Sequence, residues 1–455
     1  MGLGLSAMRP LSAPLRSLAP EVGPTLSLAW PVVLGQVGVM SMSLVDTLMV
    51  GRLGPASVGA LGVAGAVYSV AFFVGLGVLL GIDRVAAVAF GAERHDEVSR
   101  TYVQGLILAT AVSVPCVLGL FAGAWALPRA GVDPALIPEA RRYLATVAPS
   151  LVPVLWFTAS RQTLQAMGDT RAATAILLVA NLVNLAADYA LIEGHWGFTA
   201  RGIEGAALAT VLCRTFMALA MLAWGASRGL ELRRAGFRPH VPTLRELLRL
   251  GLPAGAQLVA EGGVFALSSV LVGRLGATSA AAHQVVLQVA SMTFMVPLGL
   301  SAAGAVRVGQ AIGREDRRGA ARAGWTAVLL GGAFMLVSGL SLLGLSRPIL
   351  GAFSLRADAF VLARDLLLCA AFFQLFDGLQ VTLAGVLRGL GETLPSLLAN
   401  LVGHWGIGLP VGVVLTFSLG LGAIGMWVGL ATGLAAVSAA LLVHWTRKTR
   451  EAHRP

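Results

Sequence analysis

Apolar residues run along this chain in long blocks, broken at intervals by short clusters of Arg, Gly and Pro. Val58–Leu80, Tyr102–Leu127, Gly324–Leu345 and Ala423–Val443 are four such blocks. Each is about the length, roughly 20 residues, that crosses the hydrocarbon core of a bilayer as a helix. Hydrocarbon offers no partner to an open backbone, so runs of this length imply helices and not open sheet. The pattern divides into twelve helices, starting near residues 26, 57, 101, 143, 173, 203, 250, 279, 323, 364, 395 and 421. The fold class is therefore an all-α polytopic membrane protein with twelve transmembrane helices.

An even number of crossings puts both termini on one side. One set of connecting segments carries about 22 Lys and Arg residues, Arg84, Arg94, Arg307 and Arg388 among them, against nine in the opposite set. Basic residues collect on the cytoplasmic side of short loops. Both termini are thus expected in the cytoplasm. The longest loop, Arg228–Arg249, is expected there too and divides the chain in half. The first apolar stretch, Leu26–Val50, is too long for a signal-peptide core and reads as an uncleaved helix.

The halves repeat each other. Gly51-Arg52-Leu53-Gly54 recurs as Gly273-Arg274-Leu275-Gly276, and Pro31 recurs as Pro253. Gly91 and Glu93 recur as Gly313 and Glu315. Gly168-Asp169-Thr170 answers Gly391-Glu392-Thr393, and Ala180-Asn181-Leu182-Val183 answers Ala399-Asn400-Leu401-Val402. A near-constant offset through six helices indicates a duplicated six-helix unit. Six is even, so both copies keep one orientation, related by an axis along the membrane normal. Two pseudo-symmetric six-helix lobes are expected, residues 1–235 and 236–455.

Ionisable residues inside a membrane cost at least about 2.5–3.5 kcal/mol and are functional candidates by default. Glu261 lies roughly 18–20 Å along its helix from the nearest arginine on either side, near the midplane. Asp377 lies roughly 16 Å from Arg388, at similar depth. Paired carboxylates in a partly buried cavity bind a monovalent cation or share protons. Asp46 and Asp188 sit higher, in helices 1 and 5. Val39 and Ser268 stand where the repeat would give Glu261 and Asp46 acidic counterparts. That asymmetry favours a functional over a scaffold role. Asn181 and Asn184 share one face of helix 5 and are candidates for a polar cavity or for helix–helix hydrogen bonds. Arg214, midway along helix 6, needs a partner, and Asp46 and Asp188 are the two candidates. Arg161 is expected to snorkel to the nearby interface. His283 and His404 are expected to be satisfied by hydrogen bonds.

Composition adds exclusions. The chain is 455 residues, 56% hydrophobic and 12% charged, with a formal net charge of +11. No aromatic-interleaved basic stretch of a nucleic-acid binder is present, so the positive charge is assigned to the membrane face, next to anionic lipid. Cys116, Cys213 and Cys369 fall inside apolar runs and read as small buried hydrophobes. There is no HExxH, nucleotide-binding loop or zinc cysteine set. Neither an enzyme nor a cofactor is expected.

Several stretches resemble the MATE (multidrug and toxic compound extrusion) family, NorM-like branch. They are Val45-Asp46-Thr47-Leu48-Met49-Val50-Gly51, Leu252-Pro253 leading to Glu261, Ala282-His283-Gln284-Val285, Arg307-Val308-Gly309 and Gly408-Leu409-Pro410. The most diagnostic is Gln374-Leu375-Phe376-Asp377, running on to Gly385-Val386-Leu387-Arg388-Gly389. The resemblance implies a V-shaped, alternating-access antiporter that exports organic cations or amphipathic compounds against Na⁺ or H⁺. It implies that Glu261 and Asp377 form the cation site of the second lobe, a sodium site if coupling is to sodium, and that Asp46 takes part in coupling in the first. Asn181, Asn184, Asp188, Phe373 and Gln284 are the expected polar-cavity or substrate residues. Phe373 departs from relatives that often carry Tyr there, which removes one hydroxyl ligand and leaves H⁺ coupling open. The expected partners are small-molecule substrates and lipid, with the chain a monomer in a bacterial plasma membrane. A lipid-linked precursor flippase is the competing reading. It calls for a large cationic cavity, whereas the second-lobe site is acidic.

Overall fold

The computed structural model describes residues 15–230, 238–353 and 355–451. Among the described residues, twelve helices are long and apolar enough to cross a membrane. They are α1 (Leu18–Gly51), α2 (Pro55–Gly91), α3 (His95–Ala126), α4 (Ile137–Ala166), α5 (Arg171–Ile192) and α6 (Ile203–Ser227). The second six are α7 (Val241–Gly273), α8 (Ala277–Gly313), α9 (Arg317–Gly344), α10 (Ala357–Leu390), α11 (Thr393–Ser418) and α12 (Gly422–Arg450). A short helix, Ser346–Gly351, precedes α10. The expected division at residues 235 and 236 lies outside the described residues, as do Arg9, Arg233, Arg234 and Arg454.

The repeated motifs have a conformational cause. Gly54 and Gly276, which close the Gly-Arg-Leu-Gly turns into α2 and α8, hold φ of 119° and 108°. Side chains with a Cβ resist that region. Glu93 and Glu315, at the ends of α2 and α8, both take φ of 59°.

The halves meet symmetrically on the side that carries both termini. A side-chain carbon on Gly77 of α2 would collide with the backbone of Gly255 in α7. In the repeat, Gly299 of α8 presses on Ala29 and Val33 of α1. Nearer the termini, Gly91 touches the Gln310 carbonyl and Gly313 touches the Val88 carbonyl. Small residues let membrane helices approach to backbone contact, where packing is the main source of association. On the opposite side α1, α2, α7 and α8 expose Leu48, Val70, Val270 and Met292, at 63%, 60%, 59% and 58%. The arrangement is a V whose point lies at the terminal side.

Among the described residues, three ion pairs cross this seam: Arg307 with Glu21 at 2.6 Å, Arg84 with Glu246 at 3.4 Å, and Arg388 with Asp83 at 3.6 Å. Arg84, Arg307 and Arg388, counted above with the connecting segments, are thus helical residues. Acidic partners across the seam pair with their charges, while the Nε of each is buried without a hydrogen-bond partner.

Helix α11 is irregular. Leu401–Gly408 and Val414–Ser418 are π-helical and flank the short α segment Leu409–Val413. Pro410 lacks an N–H and its ring would strike the carbonyl four residues back, so the widened turns accommodate it. Gly408 and Gly412 in turn lie against Gly433 and Gly429 of α12.

Candidate functional site

Each half holds a carboxylate cluster in its interior. In the first half, α1 and α5 bring Asp46 and Asp188 together around one amide. Asn184 Nδ2 donates to Asp46 Oδ1 at 2.6 Å and to Asp188 Oδ2 at 2.8 Å. Asn184 and Asp188 are 1% and 0% exposed. They share a helix face because they are four residues apart. Asn181, one turn earlier, does not join them. Its amide donates to the Leu177 carbonyl of its own helix at 2.9 Å.

Arg214 pairs differently from expectation. Its guanidinium donates to Ser150 Oγ at 2.7 Å and stands 4.4 Å over the Tyr68 ring. A hydroxyl and an aromatic face hold the cation in place of direct contact with either aspartate. Its charge is still felt at Asp46.

In the second half, Glu261 of α7 is tied to two helices. Gln380 of α10 donates to Glu261 Oε2 at 3.4 Å, and Asn400 of α11 donates to the same oxygen at 3.3 Å. Asp377, 5% exposed, lies one turn from Gln380 on α10 and feels the Glu261 charge. The two carboxylates are therefore neighbours across α7 and α10. Gln380 and Asn400 are both fully buried, and the carbonyl oxygen of each amide has no partner. Two buried carboxylates with unpartnered amide oxygens nearby supply oxygen acceptors of the kind that a hard monovalent cation or a proton takes. Asn400 could have been found through its place opposite Asn181 in the repeat. Gln380 could have been found as the residue one turn beyond Asp377.

Phe373 is packed inside the half at 2% exposure, between Phe265 and Trp427, with ring centroids 5.9 Å and 5.5 Å away. Gln284 is exposed. The histidines diverge. His283 meets the expectation, accepting from Trp427 Nε1 at 3.0 Å and bonding Ser269 Oγ at 2.9 Å. His404 does not. It is fully buried, and neither ring nitrogen has a hydrogen-bond partner. It sits in the π-helical part of α11 with Phe265 as its ring neighbour at 6.3 Å. An aromatic edge cannot take the place of a hydrogen-bond partner. Arg161 is half-buried; its Nε is enclosed without a hydrogen-bond partner, and its charge acts on Asp83.

The MatE family model matches residues 31–190 and 253–414, once in each half. The chain is similar to the probable multidrug resistance protein NorM of Mesorhizobium japonicum, 37% identical over 441 residues, covering 94% of both chains. It is 39% identical over 451 residues to the protein of the same description from Rhodopseudomonas palustris, covering 97% of this chain and 95% of that one. Among solved structures, the eukaryotic MATE transporter AtDTX14 superposes with a TM-score of 0.85 at 20% identity, covering 96% of this chain and 98% of that one. A multidrug resistance MATE family transporter of the MOP superfamily, in an outward-facing conformation, gives 0.86 at 18% identity, covering 98% and 99%. At these identities the solved structures speak to the fold alone.

Proposed function

Because the chain belongs to the MATE family of multidrug efflux transporters, we propose that it exports organic cations or other amphipathic small molecules in exchange for inward Na⁺ or H⁺. Residues 1–235 and 236–455 act as two lobes that rock about the seam, giving alternating access. Both termini lie in the cytoplasm of a bacterium, so the arrangement described above is open to the outside. The transporter works as a monomer in the plasma membrane.

One observation carries this reading. The Glu261 carboxylate is held by α10 and α11 at once through Gln380 and Asn400, with Asp377 beside it. Two like charges at this depth repel, and a bound cation or proton relieves that repulsion. Occupation therefore alters the packing of three helices in one lobe. The Asp46–Asn184–Asp188 cluster does the same for α1 and α5 in the other lobe. Cationic cargo and coupling ion compete for the same negative charge, so release of one accompanies uptake of the other. The test is drug export in membrane vesicles under separately imposed Na⁺ and pH gradients. An effect of Na⁺ at fixed pH and fixed potential selects sodium. Export driven by the pH gradient alone selects the proton. Export indifferent to both refutes antiport.

A further inference from the structure

Asp83 lies in α2 on the terminal side of the seam and is 2% exposed. Two cations from different lobes face it. Arg388 of α10, across the seam, places Nε 3.6 Å from Asp83 Oδ2. Arg161 of α4 belongs to the same lobe as Asp83, and its charge is felt there without an ion-pair contact. The two residues share a packing unit, since Ile82 and Ala159 both border Gly105 of α3. The groups left unmade are complementary. Asp83 Oδ1 is a buried acceptor with no partner, and Arg161 Nε is a buried donor with none; Arg388 Nε, too, pairs with Asp83 by charge without a hydrogen bond. A carboxylate has two oxygens to satisfy, and a buried one left bare is strongly disfavoured.

We propose that Asp83 is the moving contact of a charge-exchange latch, engaged by Arg388 while the lobes meet at the terminal side and handed to Arg161 when they part. This rests on the rocking of the two lobes proposed above. Separation at the terminal side withdraws Arg388 with α10 and leaves Asp83 behind. Without Arg161, the carboxylate would be stranded in a largely apolar wall. With Arg161, the unmade oxygen and the unmade N–H find each other inside one lobe. Arg388 is then a positioning residue for the state described above, and Arg161 a positioning residue for the opposite one. The neighbouring pairs Arg84–Glu246 and Arg307–Glu21 cross the same seam, but the side-chain exposures of their acidic partners, 50% and 16%, exceed the 3% of Asp83. Water can take over their charges more readily when the lobes part.

The latch predicts opposite signs for two like substitutions. Spin labels on cysteines at Asp96 and Arg318, exposed residues just past the ends of α2 and α8, report the terminal-side separation in the full-length protein in lipid. Arg388→Gln is expected to raise the long-distance population by about fivefold or more, the lower range for a two-state coupling. Arg161→Gln is expected to lower it by a similar factor. Arg388→Lys, which keeps the charge, is expected to return most of the parent distribution. Asp83→Asn removes the contact itself and is expected to make Arg161→Gln silent when the two are combined. Arg388→Gln and Arg161→Gln shifting the distribution the same way, or not at all, would overturn the latch. A parent that shows one distance at every pH and Na⁺ concentration would overturn the lobe motion, and the latch with it.

Discussion

Asn184 of α5 donates from Nδ2 to Asp46 Oδ1 of α1 at 2.6 Å. The same nitrogen reaches Asp188 at 2.8 Å, so one amide donates to two carboxylates in a buried place. Removing it leaves two acceptors facing each other. Asn184→Ala is expected to lower stability by about 1–3 kcal/mol, the range for an unsatisfied buried partner. The measurement is thermal unfolding in detergent, paired with efflux in cells. Unchanged unfolding and unchanged efflux together would show that the cluster needs no bridging donor.

Asn181 and Asn400 occupy equivalent places in the repeat yet point differently. Asn400 bonds Glu261, whereas Asn181 bonds its own helix. Loss of a hydrogen bond to a charged group costs about 1.5–3 kcal/mol, roughly tenfold or more in a coupled equilibrium. Asn400→Leu is therefore expected to cut ion-driven export about tenfold, with Asn181→Leu near the parent. Initial export rates in vesicles compare them, and equal losses at both positions would contradict the distinction.

The glycine seam gives a steric prediction. Gly77 abuts the Gly255 backbone, but a side-chain carbon at Gly62 of the same helix would meet nothing within 4 Å. Gly77→Val is expected to destabilise by about 1–3 kcal/mol, as overpacking does, and to abolish export. Gly62→Val should do neither. A drug-resistance assay beside a thermal-unfolding scan reads both, and a harmless Gly77→Val would mean that the seam is looser than described.

The helix pattern was legible because hydrocarbon enforces it. Helices α2, α5, α6, α8, α11 and α12 begin within two residues of the expected starts, whereas α3, α4 and α9 start six residues earlier, α10 seven, α1 eight and α7 nine. Their extra turns extend beyond the most apolar stretch, where hydropathy says little. The carboxylates Glu261, Asp377 and Asp46 were visible because charge is rare in apolar helices. Asp83 was not, since it follows the block ending at Leu80 beside Arg84 and looks like part of a loop. The unpartnered ring of His404 could not be foreseen either. Hydrogen-bond satisfaction depends on what α7 presents to it, and there Phe265 stands. Arg214 shows the same limit: its need for a partner was evident, but a tyrosine face and a serine hydroxyl serve as well as a carboxylate.

Glu392, between α10 and α11, offers a pH prediction outside the membrane spans. Lys448, 2.7 Å away, holds its carboxyl below the usual glutamate range, with His444 adding to the effect. A carboxylate with a lowered folded-state value stabilises at neutral pH, and that contribution disappears as pH falls through it. The site is partly solvated, so the effect is small. Glu392→Gln should lower the unfolding temperature slightly at pH 7, and by less as the pH falls through the acid range. A larger effect at the lower pH would reverse the assigned sign.

The central claim is that carboxylate occupation drives export. Its most direct measurement is accumulation of a fluorescent organic cation by proteoliposomes under an imposed Na⁺ or H⁺ gradient, with Glu261→Gln and Asp377→Asn beside the parent. The parent should accumulate dye only with one of the two gradients. Each variant should reconstitute equally yet lose gradient-driven accumulation, by about tenfold or more if coupling is worth 1.4 kcal/mol or above. Variants that accumulate dye as well as the parent, under the same gradient, would contradict the account.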